Sequence, residues 1–185
     1  AVATAAALTV VEPTSNGVGG DAFAQIWMDG RLYGLNSSGP APALADADFL
    51  RERFGKVPAQ GWYGVNVPGI PAAWAEASRR FGRLPFAELF TSAISYAEEG
   101  YPVAPVVSRL WADDYATFRP LRGETEIAPW FDTFTVEGKA PRAGQVVKLP
   151  ELGQTLRELA STDCESFYRG ELARRIDDWS RRSGG

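Results

Sequence analysis

Residues 13–23 have the sequence PTSNGVGGDAF. This glycine-rich stretch stands between an alanine-rich apolar run and a strand-like segment that ends at Asp29-Gly30. Glycine permits positive φ and lets the backbone come close to another backbone or to a ligand. A phosphate-binding loop uses similar residues, but it opens a helix, whereas this stretch opens a strand. The stretch is therefore interpreted as a structural turn, with a binding loop as the alternative.

The residues that follow this stretch predict a β-hairpin. Residues 22–28 and 31–36 read as two strands, and Asp29-Gly30 between them is typical of a type I′ turn, in which both central residues have positive φ. The two strands are too apolar to carry a solvent-exposed face. We therefore expect other parts of a protein to pack on both sides of the hairpin.

The rest of the chain predicts mainly helices. Residues 1–11 are good helix formers and apolar on all sides, which indicates a buried helix. Further helices are predicted over 44–54, 72–81, 85–99, 104–118, 151–159, 165–168 and 171–181. The helix over 85–99 carries an apolar stripe from Phe86 to Ala97 that is expected to pack in the core.

Two segments are predicted to be irregular. Residues 55–69 form a connection rich in Gly and Pro that carries Trp62 and Tyr63. These two aromatic side chains are expected either to cover the core or to form one wall of a pocket. Residues 119–149 are predicted to be a loop with one short strand near 134–136.

The composition excludes several kinds of site and partner. With 185 residues, 45% of them hydrophobic and 23% charged, the chain is of ordinary globular type. A net charge of −4 gives no electrostatic support for binding nucleic acid or an anionic membrane, and no run approaches the roughly 20 apolar residues that span a bilayer.

The absence of His and the single Cys164 limit the chemistry further. Without His, the chain cannot form a Ser-His-Asp triad, a Cys-His dyad or a His-ligated metal site. One cysteine cannot form an internal disulfide or a zinc cluster, and Cys164 is expected to be a small, half-buried side chain. We predict no metal and no cofactor. Since the chain begins without Met inside a helical run, we expect a fragment or a processed subunit, and its localisation is not predicted.

Six segments in a fixed order carry a family resemblance. They are Gly17–Phe23, Gly34–Pro42, Val67–Gly69, Phe81–Phe86, Ala97–Val103 and Phe167–Gly170. In this order and at this spacing they resemble the large subunit of the gamma-glutamyltranspeptidase family, which includes the class IV cephalosporin acylases. The resemblance covers nearly the whole chain.

The resemblance implies an α+β fold and a particular kind of catalysis. The implied fold is a four-layer αββα sandwich of the N-terminal-nucleophile hydrolase type. Residues 1–185 would be part of the large-subunit portion of this single domain, supplying mostly helices plus a β-hairpin. The implied function is an amide hydrolase or acyltransferase that acts on gamma-glutamyl compounds such as glutathione.

In this family the proenzyme cuts its own backbone, and the new N-terminal Thr of the small subunit attacks the substrate amide. The α-amine of that Thr serves as the base, so no His is required. The implied partners are therefore a small-molecule substrate and the small subunit. No residue of this chain is assigned as catalytic.

The chain departs from the transferase pattern at two places. Where the transferases continue into an Arg-Glu pair, this chain has Ser38 and Gly39, and a serine cannot hold a substrate carboxylate as an arginine does. The residue after the glycine, an arginine in many acylase-like relatives, is Pro40 here. Asp21 replaces a glycine in the glycine run, as in the hydrolase or acylase branch. These departures favour hydrolysis over efficient transfer.

The candidate site residues follow from the same comparison. Ser37 and Ser38 end a strand that the resemblance directs to the substrate pocket, so they are candidate substrate-binding residues. The alternative is a polar loop that bonds to its own backbone. Gly19, Gly20 and Asp21 are expected to support this site. Asp21 either orients the strand end or a nearby polar group, or it caps its own turn.

Two further alternatives to the gamma-glutamyl function remain at this stage. The first is a class IV acylase-like hydrolase that cleaves other acyl amides. The second is a non-catalytic homologue that acts as a binding or scaffold module. A dinucleotide-binding fold built on residues 17–20 is rejected, because the βαβ unit and the later acidic residue are both lacking.

Overall fold

The computed structural model describes residues 1–42 and 45–185. The helices are α1 (Val2–Val11), α2 (Ala47–Phe54), α3 (Ile70–Phe81), α4 (Thr91–Glu99), α5 (Pro105–Phe118), α6 (Ala128–Phe134), α7 (Pro150–Ser161), α8 (Ser166–Arg169) and α9 (Glu171–Ser183). The strands are β1 (Ala22–Met28), β2 (Arg31–Ser37), β3 (Tyr101–Pro102) and β4 (Val146–Val147). Short 3-10 turns occupy Trp62–Gly64, Phe86–Phe90 and Arg119–Leu121.

Most of the predicted helices are present within a few residues of their expected ends. In α2, the Asp46 carboxylate accepts hydrogen bonds from the backbone N–H groups of Asp48 and Phe49, so this helix begins after Asp46. Leu44, the predicted first residue of this helix, lies outside the described residues. Proline in the first turn of α3 and α7 marks their starts, as expected for a residue that has no N–H to leave unpaired.

The core lies between α1, α4 and α7. Helix α4 packs against both α1 and α7. Ala93 and Ala97 of α4, and Phe90 at the end of the 3-10 turn before it, are completely buried. The apolar stripe predicted over 85–99 therefore does lie in the core. The segment is not one helix, however, because Phe86–Phe90 forms a 3-10 turn that precedes α4.

The hairpin forms as predicted. Strands β1 and β2 pair antiparallel with Trp27 opposite Leu32, and Asp29 and Gly30 have φ of 52° and 75° in the turn between them. One face packs on α3, where the Tyr33 and Phe81 rings lie 5.1 Å apart.

The other face of the hairpin is open in the described part of the chain. Its three large apolar side chains are Phe23 and Trp27, each 70% exposed, and Leu32, 57% exposed. The expectation that both faces are covered is thus met by this chain on one face only.

The prediction for residues 119–149 is wrong in its main features. Instead of a strand near 134–136, the structure has helix α6, which ends at Phe134, and Val136 makes only an isolated bridge with Lys139. The short strand of this segment is β4, which pairs with β3. Helix α6 forms because Phe131 and Phe134 pack on α5, against the rings of Tyr115 and Trp111 respectively. A helix of seven residues depends on such tertiary contacts rather than on its own propensity.

Candidate functional site

Three segments meet at the end of strand β2. They are the glycine-rich turn before β1, the strand end at residues 37–39, and the connection 66–69 that leads into α3. The backbone N–H groups of Gly69 and Ile70 both donate to the carbonyl of Gly20 at 3.0 Å. The Val67 N–H donates to the carbonyl of Pro40, also at 3.0 Å. These hydrogen bonds connect segments that are far apart in the sequence.

Two glycines allow this close approach. A Cβ on Gly39 would lie 1.7 Å from the carbonyl oxygen of Val67, and a Cβ on Gly69 would lie 1.7 Å from that of Ser37. Both distances are far below van der Waals contact, so only glycine fits at either position. Their roles were not predicted, although Gly39-Pro40 and Pro68-Gly69 are typical turn dipeptides that mark irregular backbone.

The glycines of the turn itself behave differently from the expectation. Gly17, Gly19 and Gly20 do not have positive φ, so the expectation that these glycines supply positive φ in the turn is wrong. Gly20 is closely packed, because a Cβ there would lie 3.2 Å from Ile70 Cδ1, whereas a Cβ on Gly19 would have no neighbour within 4 Å. The turn therefore depends on close packing at Gly20.

The Asp21 carboxylate accepts several hydrogen bonds at the end of β2. It accepts from the Ser38 hydroxyl at 3.3 Å and from the Gly39 N–H at 3.4 Å. It also accepts from the side-chain amide of Asn66, at 3.1 Å to one oxygen and 2.9 Å to the other. Two roles were expected for Asp21. The contacts observed correspond to the first, because Asp21 binds the strand end and a nearby polar group.

Asn66 was not found by sequence reasoning. It lies between Val65 and Val67 in the irregular connection, and no motif or periodicity singles it out. Its partner Asp21 is 45 residues away in the sequence.

The two candidate serines differ in their surroundings. Ser37 is half-buried, and its hydroxyl donates to the carbonyl of Gly69 at 2.7 Å. Ser38 is exposed beside Asp21, and its backbone N–H donates to the Asn36 side chain at 2.9 Å. Ser37 therefore anchors the strand end to the connection before α3, while Ser38 presents its side chain to solvent.

A groove with a volume of about 360 Å³ runs from Asn66 toward α9. This volume is within the range of small-molecule sites. Trp62 and Tyr63 both line the groove, and both also make contacts elsewhere. The Trp62 indole N–H donates to the Ser183 hydroxyl at 2.8 Å, and the Tyr63 ring lies 5.0 Å from that of Phe54. Asn66 therefore belongs both to the lining of the groove and to the group of residues that donate to Asp21.

The residues that the structure describes offer few other groups for metal binding or nucleophilic attack. They contain no group of three or more His, Cys, Asp or Glu side chains placed to hold a metal ion. Cys164 is 1% exposed, so it is more deeply buried than predicted. This burial, with a smaller effect of the neighbouring Asp163 charge, raises the pKa of the Cys164 thiol to about 12. A thiol in this state is a poor nucleophile.

No helix in residues 1–42 or 45–185 is long and apolar enough to cross a membrane.

Comparison with known proteins identifies what the chain is similar to. A family model described as gamma-glutamyltranspeptidase matches residues 1–185. Oxamate amidohydrolase proenzyme of Klebsiella pneumoniae is 38% identical over 95% of this chain and 33% of its own length. Glutathione hydrolase proenzyme of Pseudomonas aeruginosa is 33% identical over 94% of this chain and 30% of its own length. The chain thus spans about a third of the length of these curated relatives.

Solved structures show the same relationship. Cephalosporin acylase from Bacillus halodurans superposes with a TM-score of 0.93 at 45% identity, over 100% of this chain and 35% of that one. Gamma-glutamyltranspeptidase from Pseudomonas nitroreducens gives a TM-score of 0.85 at 33% identity, over 100% of this chain and 53% of that one. The predicted α+β fold of the N-terminal-nucleophile hydrolase type, to which this chain supplies mostly helices and a hairpin, is confirmed.

Proposed function

Because the chain belongs to the gamma-glutamyltranspeptidase family, we propose that the whole protein is an amide hydrolase or acyltransferase that acts on gamma-glutamyl compounds such as glutathione. The observation that carries this proposal is the meeting of three family segments, Gly17–Phe23, Gly34–Pro42 and Val67–Gly69, at the end of β2. They are joined there by backbone hydrogen bonds and by the Asp21 carboxylate. Residues far apart in the sequence thus form one compact polar site.

We further propose that residues 1–185 are part of the large-subunit portion of a single domain. The open face of the hairpin supports this, because Phe23, Trp27 and Leu32 form an exposed apolar surface on a two-stranded sheet. An isolated two-stranded hairpin is marginally stable and requires further packing. In this proposal the partner is the small subunit, made from the same proenzyme, and it covers this face.

The proposed reaction uses a nucleophile that lies outside this chain. The hydroxyl of an N-terminal Thr attacks the amide carbonyl carbon, and the α-amine of that Thr accepts the hydroxyl proton. The C–N bond breaks, the leaving amine takes up a proton, and an ester to the Thr remains. Water, or less readily an amino acid, then attacks the ester and releases the acyl group.

In this reaction some residues of the present chain bind the substrate, and others hold those residues in place. Ser38 presents its side chain at the strand end and is proposed to contact the substrate. Ser37, which is bonded to the Gly69 carbonyl, is proposed to line the same site while it holds the strand end in place. Gly19, Gly20 and Asp21 are proposed to support these two serines from the neighbouring turn.

A second candidate function is supported by the charge of the site. Ser38 stands where the transferases have an arginine, and all ion pairs within the described residues join side chains other than Asp21. Among the described residues, Ser38 therefore supplies no positive charge to a substrate carboxylate at the position of that arginine. This favours an acylase-like hydrolase of other acyl amides, in line with the name of the cephalosporin acylase.

The test uses the complete protein. Denaturing gel electrophoresis should give two bands in place of one, and N-terminal sequencing of the smaller band should begin with Thr. Glutathione hydrolysis is then measured with and without a dipeptide acceptor. Hydrolysis that the acceptor barely accelerates is the expected result. Cleavage of other acyl amides without any gamma-glutamyl cleavage would favour the second candidate, and an unprocessed, inactive protein would indicate a non-catalytic binding or scaffold module.

A further inference from the structure

We infer that Asp21 determines the substrate specificity of this site. Its carboxylate favours amide substrates that present a neutral or cationic group at the end of β2 over those that present a carboxylate there. The inference rests on the proposed function, because it takes the end of β2 as part of the substrate site. It goes further by naming the residue that selects and the group that is selected.

The charge of Asp21 is oriented but not neutralised. Its hydrogen-bond donors are the Ser38 hydroxyl, the Gly39 N–H and the Asn66 amide, and all three are neutral. Among the described residues, no Lys or Arg nitrogen lies within 4.0 Å of this carboxylate. Neutral donors stabilise a carboxylate without cancelling its field, so the negative charge of Asp21 is not paired with a cation among the described residues.

The donors of the strand end are directed toward Asp21 and away from a ligand. The Ser38 hydroxyl has one hydrogen, which it donates to Asp21, so it can offer only its lone pairs to a substrate. The Gly39 N–H also points to Asp21. A carboxylate arriving here meets acceptors and a like charge, whereas an ammonium or a primary amide brings the N–H groups that the site lacks.

The carboxylate is accessible and held in position. Asp21 and Ser38 are both exposed in this chain. Asn66 donates to both carboxylate oxygens, which restricts rotation of the Asp21 side chain. The strand end is held in turn by the hydrogen bond from Ser37 to the Gly69 carbonyl. Because these groups are already in place, little conformational freedom is lost when a donor group binds.

The test compares two substrates that differ in one group. The first is gamma-glutamyl p-nitroanilide, which carries an α-carboxylate, and the second is the same anilide with a primary carboxamide in place of that carboxylate. In the processed whole protein we expect kcat/KM to be about tenfold higher for the carboxamide, since two like charges at contact distance change an equilibrium by about this factor or more. Raising the ionic strength should reduce this preference, because salt screens exposed charges.

The variant Asp21→Asn removes the charge and keeps the shape of the side chain. We expect it to bring the ratio of the two kcat/KM values close to one, mainly by raising the value for the carboxylate substrate. The matched control is Asp29→Asn, at the turn of the hairpin and at the opposite end of both strands. It changes the net charge equally, and asparagine tolerates the positive φ of that position. The control should leave the ratio as in the wild type.

The outcomes separate this inference from the proposed function. Turnover of both anilides with a ratio that Asp21→Asn leaves unchanged, or that Asp29→Asn changes equally, would overturn the inference alone. If Asp21→Asn does not fold or mature, the two substrates are compared in the wild type alone. A ratio of the two kcat/KM values near one, unchanged by salt, then overturns the inference. A processed wild type that cleaves neither anilide would overturn the proposed gamma-glutamyl function and this inference with it.

Discussion

Asn66 donates its side-chain amide to both carboxylate oxygens of Asp21, at 2.9 Å and 3.1 Å. Asn66 belongs to the connection that leads into α3, and Asp21 immediately precedes β1. The contact therefore joins the start of the hairpin to the segment that packs across its end. Since Asp21 also accepts from Ser38 and Gly39, the pair controls the shape of the whole strand end.

The first prediction concerns this pair. Asn66→Asp sets two carboxylates against each other and removes the amide donor, so we expect the free energy of unfolding to fall by about 1–3 kcal/mol. The exchange variant Asp21→Asn with Asn66→Asp restores one amide and one carboxylate and should recover at least half of that loss. Thermal or urea unfolding of the whole protein provides the values for a double-mutant cycle. Additive effects of the two substitutions would show that the residues do not interact in solution.

The second prediction concerns the close backbone contacts. Gly39→Ala and Gly69→Ala each place a methyl group 1.7 Å from a backbone oxygen, so one of the two segments must move. We expect each to lower the free energy of unfolding of the whole protein by about 1–3 kcal/mol or more, as overpacking does. Gly17→Ala is the matched control, because its Cβ would have no neighbour within 4 Å and its φ is not positive. Equal melting temperatures for the three variants would contradict the observed packing.

Most residues of the candidate site could be named from the sequence, but their contacts could not. The glycine-rich turn, Ser37, Ser38 and Asp21 were identified because they occur in short segments with a recognisable order. Asn66 was missed because its role arises only when a connection 45 residues away folds against the turn. A contact of this kind has no local signal in a single sequence.

The same distinction applies to the secondary structure. The hairpin was predicted residue by residue at most positions, because a two-residue Asp-Gly turn specifies the pairing locally. Helix α6 was missed because its seven residues include proline, threonine and three aromatic side chains, which are not strong helix formers. It is stabilised by packing of Phe131 and Phe134 on α5. Such packing cannot be read from the segment alone.

The third prediction concerns a tyrosine next to the site. The Tyr168 hydroxyl donates to the carbonyl of Pro68 at 2.8 Å and accepts from the N–H of Ala72 at 3.0 Å. Tyr168→Phe leaves both backbone groups without this partner, so we expect a loss of about 1–2 kcal/mol in the free energy of unfolding. Tyr96→Phe is the control, since Tyr96 is 44% exposed and its hydroxyl makes no hydrogen bond within the described residues. A loss of similar size in both variants would contradict the assigned role of Tyr168.

The fourth prediction is a gain in stability, from removing the hydroxyl of a buried tyrosine. Tyr101 is 4% exposed, and its hydroxyl has no hydrogen-bond partner among the residues the structure describes. Burial also raises the pKa of this phenol above its ordinary value. Tyr101→Phe removes a desolvated polar group and keeps the ring, so we expect the protein to become more stable by up to about 1 kcal/mol. Destabilisation in urea unfolding would show that the hydroxyl has a partner in the whole protein.

The fifth prediction concerns Cys164, whose pKa is raised by burial to about 12 from an ordinary value of 9.0. At pH 8 only about one native thiol in ten thousand is then ionised, and alkylation requires the thiolate. Iodoacetamide should therefore leave the tryptic peptide that contains Cys164 unmodified in the native protein and modify it rapidly in urea, as followed by mass spectrometry. Since the native thiol holds its proton more tightly than the unfolded one, its contribution to stability is complete below about pH 9 and is lost as the pH rises toward 12. Cys164→Ala should flatten the fall in stability over this range, and rapid alkylation of the native protein at pH 8 would contradict the burial of this side chain.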